Sequence, residues 1–225
     1  MKKTIVVYTL FFLLFSEARA QKKLDIGIRI GYGLATETVN NKFARGAFAA
    51  FHVGPQVRWN FSEKHRVSLE VLLSKKGSPY IEIHGSGGNN LPMKEDYKEH
   101  FFYLDLPILF NYKPIGGFYL EGGVQPSVFL LRATSSPYTS SSAHPRKMRN
   151  GDFSLVVGVG YEIKKVTIGI RGTVGLVNIL ESGTVQNLYS YYRYPYGIWQ
   201  GYNIEPDNNS YKNTTLILTC GFSLW

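Results

Sequence analysis

Six ionisable side chains stand where their surroundings are apolar or small: Arg29, His52, Glu70, Asp105, Glu121 and Arg171. Ile28-Arg29-Ile30, Phe51-His52-Val53, Leu69-Glu70-Val71 and Leu104-Asp105-Leu106 show the setting. Apolar residues recur at every second position of these stretches, and the ionisable residue takes the opposite parity. A two-residue period is the signature of a β-strand with one apolar and one polar face. Gathered on the polar faces of neighbouring strands, arginines and carboxylates form bidentate, charge-assisted pairs. An unpaired charge in a narrow, poorly solvated space would cost several kcal/mol. Arg29, His52, Glu70, Asp105 and Arg171 are expected near one mid-depth level, with Glu121 lower. Such a cluster serves either as a gate on an ion path or as a plug that holds a cylinder's shape. The plug is the preferred reading.

Other residue types capable of chemistry give weaker patterns. His84, His100 and His144 lie in polar connecting segments with Glu82, Glu95, Asp96 and Glu99 near the first two, but no CxxC, HxxxH or HExxH spacing is present. No catalytic residue, metal site or cofactor is therefore expected. Gly85-Ser86-Gly87-Gly88-Asn89-Asn90 follows no strand–helix unit, so it reads as a flexible loop rather than a phosphate cradle. Cys220, the single cysteine, sits on an apolar parity and reads as a small apolar side chain. One connecting segment stands out: Tyr189 to Tyr202 contains Tyr191, Tyr192, Arg193, Tyr194, Tyr196, Trp199 and Tyr202. Tyr, Trp and Arg dominate binding hot spots. These residues are a candidate contact surface for a sugar or protein, or else an aromatic collar over the mouth of the fold. Arg146, Lys147 and Arg149 form a basic cluster that lipid phosphates would match, though solvation alone would also explain it.

The elements that must position these residues are eight alternating stretches: 24–33, 47–59, 66–76, 101–112, 118–132, 152–162, 166–178 and 216–225. In the last, Leu216, Leu218, Cys220, Phe222 and Leu224 alternate with small or polar residues. The connections 60–65, 113–117 and 163–165 are short, whereas 34–46, 77–100, 133–151 and about 179–211 are long and polar. Even strand number, alternating loop lengths and strands of about 9–11 residues together describe a transmembrane barrel. An open sheet edge in lipid would leave backbone groups unpaired, so the sheet must close. The expected fold is all-β: a closed eight-stranded antiparallel up-and-down transmembrane β-barrel with short periplasmic turns and long external loops. Its bore would be just wide enough for side chains to fill. Pro55, Pro107 and Pro126 each remove a ladder donor, and bulges or strand ends are expected there.

Residues 1–20 read as a secretory leader: Lys2 and Lys3, an apolar run from Thr4 to Phe15, then Ala18-Arg19-Ala20 before a cut near Ala20-Gln21. Residues 21–225 are then one outer-membrane barrel domain. The formal charge is +9, and loss of Lys2, Lys3, Glu17 and Arg19 with the leader leaves +7. An exported chain rarely meets nucleic acid, so lipid head groups and lipopolysaccharide are the expected partners, with secretion-system proteins or surface glycans as further ones. Tyr and Trp enrichment suits membrane interfaces.

Three segments carry a resemblance. Tyr103-Leu104-Asp105-Leu106-Pro107-Ile108-Leu109 resembles the Tyr-Leu-Glu-Ile-Pro-Leu-Leu strand of the PorT-like outer-membrane β-barrel family, common in Bacteroidetes. Asp152 to Glu162 is similar to that family's Asp-Phe-Gly-Leu strand ending in Gly-Tyr-Glu, and Arg171 to Ile179 to its Arg-Tyr-x-x-Gly-Leu-x-Asn-Ile strand. The resemblance covers nearly the whole mature chain. It implies an integral outer-membrane barrel and supplies no catalytic motif; the family's named member serves a secretion system tied to gliding and protease export. The chain departs from a common barrel ending, an outward aromatic, because Trp225 falls on the inward parity.

The resulting expectation is a small, porin-like barrel in shape only, with a plugged lumen and a structural or surface-binding role through its external loops. An accessory role in secretion or gliding is the alternative, followed by a narrow channel or a lipid-modifying enzyme.

Overall fold

The computed structural model describes residues 24–40, 42–43, 46–85, 92–135, 148–180 and 210–224. The leader, and the aromatic segment from Tyr191 to Tyr202, lie outside the described residues. Eight staves form the wall: β1 (Leu24–Val39), β2 (Phe48–Asn60), β3 (His65–Glu70 continued by Leu72–Gly85), β4 (Pro92–Asp105 continued by Ile108–Tyr112), β5 (Phe118–Ser135), β6 (Gly151–Ile163), β7 (Val166–Gly175) and β8 (Tyr211–Ser223). A two-residue strand, Lys42–Phe43, folds back on the end of β1. All pairings are antiparallel, each stave pairing with the next. β1 then pairs with β8 from Gly27↔Ser223 to Val39↔Tyr211, so the cylinder is closed. This is the eight-stranded antiparallel barrel that the alternation predicts.

The parities also hold. Ile28, Ile30, Leu69, Leu73, Leu155, Ile170, Leu216 and Leu218 face outward and are exposed, while Arg29, His52, Glu70, Asp105, Glu121 and Arg171 are buried in the bore. An apolar exterior around a polar interior inverts a water-soluble fold and matches a hydrocarbon surround.

Of the three prolines, Pro107 falls at a strand end as expected, whereas Pro55 and Pro126 do not. Val71 donates its amide to the Pro55 carbonyl at 3.0 Å, Glu70 to Pro107 at 3.0 Å and Leu106 to Pro126 at 2.9 Å. No proline can return the bond. β3 is therefore interrupted at Val71, opposite Pro55, and β4 at Leu106–Pro107, but Pro55 and Pro126 stay within strands. Register runs on unbroken, Leu72↔Asp105 on one side of the gap and Leu69↔Ile108 on the other. Among the described pairings the shift falls between Phe102 and Tyr103, where Leu130 is the extra residue on β5. Leu130 and Leu131 both face outward there, 48% and 52% exposed, as a bulge requires.

The first two long connections are also shorter than expected. β1 extends to Val39, and β3 and β4 stay paired from Gly77↔His100 to Gly85↔Pro92. Most of the predicted 77–100 loop is thus a protruding hairpin. Neither Gly77 nor the glutamates of this segment break the pairing, because a ladder bonds through backbone and is indifferent to much of its side-chain chemistry.

Candidate functional site: the charged bore and its external rim

At the centre of the bore, Arg171 of β7 forms two paired forks. Its Nη1 and Nη2 donate to Glu70 Oε2 and Oε1 at 2.7 and 3.0 Å, and its Nε and Nη2 donate to Glu121 Oε1 and Oε2 at 2.7 and 3.1 Å. Arg29 of β1 completes the square, with Nε 3.0 Å from Glu70 Oε1 and Nη1 3.8 Å from Glu121 Oε2. Arg29 also donates to Gln56 Oε1 at 3.2 Å and to Thr219 Oγ1 at 3.3 Å. Two guanidinium groups face two carboxylates, and the square is neutral. Its members come from β1, β3, β5 and β7, every second stave around the cylinder, so the pairs cross the bore rather than follow its wall. Charges buried this way interact strongly because little water screens them.

Glu121 therefore lies with the arginines, not below them, and Asp105 pairs elsewhere: its Oδ1 lies 2.9 Å from Lys76 Nζ. Tilted staves cause the change, since residues at equal distance along neighbouring strands differ in height. Lys76 also sits 4.7 Å from the centre of the Tyr103 ring. His52 is buried above the square and packs against Gly31, where an added Cβ would lie 2.4 Å from His52 Nε2. A cavity of about 10 Å³ bordered by His52, Ser74, Lys76, Asp105 and Arg171 has room for a single water.

A second network fills the end with the short turns. Arg58 bonds Asp25 and Ser223, and Ser223 Oγ donates to Asp25 at 2.9 Å. Glu162 accepts from Arg66 at 2.5 Å and from Lys113 at 2.9 Å. The first, second and last staves are thus tied together beside the closing seam. Sequence reasoning did not single out these residues or Lys76. The same inward parity that marked Arg29 would have found them.

The opposite end closes with apolar packing. Phe101 and Tyr103 of β4 meet Met148, Ile179 and Leu180, with Phe129 and Tyr211 against them. Met148 bridges Leu180, the Arg149 amide donates to the Ile179 carbonyl at 2.8 Å, and the Ile179 amide to Tyr211 at 2.9 Å. Asn178 Oδ1 accepts from the amides of Leu180 and Tyr211 at 3.2 and 3.1 Å. The stems of the third and fourth long connections are therefore pinned over the mouth. Just outside, an open crevice of about 410 Å³ is lined by Arg149, Asn150, Gly151, Asp152, Phe153 and Val177. Among the described residues no group of His, Cys, Asp and Glu has the arrangement of a metal site.

The model of the family described as outer membrane protein beta-barrel domain matches residues 16–181. The chain belongs to that family. It is an integral outer-membrane barrel. No curated protein sequence matches it. Among solved structures it is similar to Ail, the attachment invasion locus protein of Yersinia pestis, in complex with the heparin analogue sucrose octasulfate, at 11% identity and a TM-score of 0.45 over 90% of this chain and 99% of that one. It is similar to Neisserial surface protein A at 8% identity and a TM-score of 0.45, over 88% and 97% of the two chains. OprG from Pseudomonas aeruginosa follows at 12% identity and a TM-score of 0.41, over 90% and 95%. In this barrel family the membrane fixes which parity is wet, and here the inward parity carries the buried charge pairs of Arg29, Glu70, Glu121 and Arg171.

Proposed function

We propose that this barrel carries no solute through its bore and works as a scaffold that presents external segments at the cell surface. One observation supports the reading above others: the neutral square of Arg29, Glu70, Glu121 and Arg171 occupies the bore at its centre, each side chain almost wholly buried. The apolar packing of Phe101, Tyr103, Met148, Ile179 and Leu180 adds a second closure at the mouth. The contact surface is then the external side. The aromatic segment holding Tyr191, Tyr192, Arg193, Tyr194, Tyr196, Trp199 and Tyr202 is suited to a surface glycan or a protein. Residues 1–20 act as the leader, removed near Ala20-Gln21. No catalytic step belongs to this reading. A second reading, an accessory of secretion or gliding machinery, draws on the PorT-like resemblance of the strands at Tyr103–Leu109, Asp152–Glu162 and Arg171–Ile179.

Liposomes containing the mature protein test the sealed bore. They should swell in small sugars no faster than empty liposomes; porin-like swelling would refute it. Affinity capture from native membranes, with and without residues 189–202, tests the contact surface. Partners lost with the deletion support it, and identical partners from both forms contradict it.

A further inference from the structure

We propose that the turn between β2 and β3, with the aromatic patch beside it, docks one phosphoethanolamine lipid of the inner leaflet. Its phosphate sits on His65 Nε2 and Lys64, its ammonium on Glu63, and an acyl chain over the rings. The inference uses the outer-membrane placement, in which short turns face the periplasm, and is independent of the sealed bore. Ser62 closes the turn. Its amide donates to the His65 carbonyl at 3.2 Å, and its Oγ accepts from the amides of Lys64 and His65 at 3.3 and 3.0 Å. The same Oγ lies 2.9 Å from His65 Nδ1. A serine hydroxyl has two acceptor lone pairs and one proton. The two amides take both lone pairs, so the hydroxyl donates to Nδ1. The imidazole proton is then on Nε2, which has no hydrogen-bond partner among the described residues.

Packing holds this ring in place on the outward face. It stacks on Phe61 and Tyr112 with centroids 6.0 and 5.2 Å apart, and Phe110 lies 5.8 Å away. Phe61 also meets Phe110 at 6.2 Å and Trp59 at 6.1 Å. Trp59, Phe61 and Phe110 are 54%, 45% and 47% exposed, an apolar floor for an acyl chain. An aromatic belt at a membrane interface requires no oriented donor in its midst, and no charges of both signs beside it. Here Glu63 and Lys64 are exposed, and neither forms an ion pair with a described residue. The other short turns lack this combination. Lys113 is held by Glu162 at 2.9 Å, and Ile163-Lys164-Lys165 contains no carboxylate. Opposite charges on adjacent residues match the phosphate and ammonium of a zwitterionic head group. A purely anionic head group would leave Glu63 facing a like charge.

The test places the mature protein, labelled with ¹⁵N-histidine, in nanodiscs holding equal amounts of phosphatidylethanolamine and phosphatidylglycerol. In ¹⁵N–³¹P recoupling spectra one protonated histidine Nε2 should be dephased by lipid phosphorus, and that signal should be missing in His65→Phe. Native mass spectrometry of the released protein should show phosphatidylethanolamine retained in preference. His65→Phe keeps the ring stack but removes the charge-assisted hydrogen bond to phosphate, and should reduce that retention by about tenfold. Glu63→Gln should abolish the preference between the two lipids. Heat-modifiable gel mobility shows that both variants fold. Absence of a dephased histidine, its survival in His65→Phe, or equal retention of the two lipids by the intact protein would overturn the proposal. Solute impermeability is expected in every case, so this failure is separable from failure of the sealed bore.

Discussion

Replacing Arg171 by Leu should expose how much the bore's charge square contributes. Arg171 makes four hydrogen bonds to Glu70 and Glu121, between 2.7 and 3.1 Å. Without it two buried carboxylates share Arg29 alone, which reaches Glu70 at 3.0 Å but Glu121 only at 3.8 Å. One negative charge is left uncompensated, and breaking a buried pair in this way costs about 3–5 kcal/mol. The penalty comes from the orphaned charge more than from the lost contacts. Arg171→Leu combined with Glu121→Gln therefore restores neutrality and should regain about 1–3 kcal/mol of the loss. Urea unfolding in lipid vesicles, followed by tryptophan fluorescence and by gel mobility, measures both variants. A single-variant loss below about 1 kcal/mol, the worth of a solvated ion pair, would refute the claim that the square is buried and dry. A double variant less stable than the single one would refute the neutrality argument.

Other predictions follow from the same packing. Gly160→Ala would place a Cβ 2.5 Å from the Tyr119 hydroxyl, so it should lower stability in the same assay by about 1–3 kcal/mol, and adding Tyr119→Leu should recover part of that. Phe101→Ala removes a fully buried ring from the apolar closure and should cost about 3–5 kcal/mol. Liposomes carrying Phe101→Ala should still not swell in small sugars, because the charge square lies below; swelling would show that the apolar closure alone seals the bore. Lys164, in the turn between β6 and β7, holds a φ of 53°. Lys164→Gly should raise the unfolding midpoint by relieving a strain of about 1–2 kcal/mol.

Much of this was legible in the residue alternation, and the reason is physical. A two-residue period needs no knowledge of partners, so Leu216 to Leu224 and Ile28-Arg29-Ile30 declare their faces unaided. Arg29, Glu70, Glu121 and Arg171 were placed inside the bore on parity alone. Their pairing was not readable, because it joins staves 50 and 101 residues apart at heights set by the tilt. Asp105 meeting Lys76 has the same origin. Leu130-Leu131 hides its bulge for a different reason: two adjacent leucines satisfy either parity. Pro107 announced an interruption correctly, since a missing donor is a local property. The hairpin beyond Gly77 did not show itself, as its glycine, prolines and charges are turn-like in composition while its backbone remains paired.

The most direct test of the sealed bore is proton exchange at Arg29 and Arg171 Nε in the mature protein, recorded by ¹H–¹⁵N correlation in lipid nanodiscs. The two Nε–H signals should persist at neutral pH and above, with each assigned by its loss in Arg29→Lys or Arg171→Lys. Exchange with water as fast as that of a free arginine side chain would mean that water fills the centre of the cylinder, and the closed-bore account would be wrong.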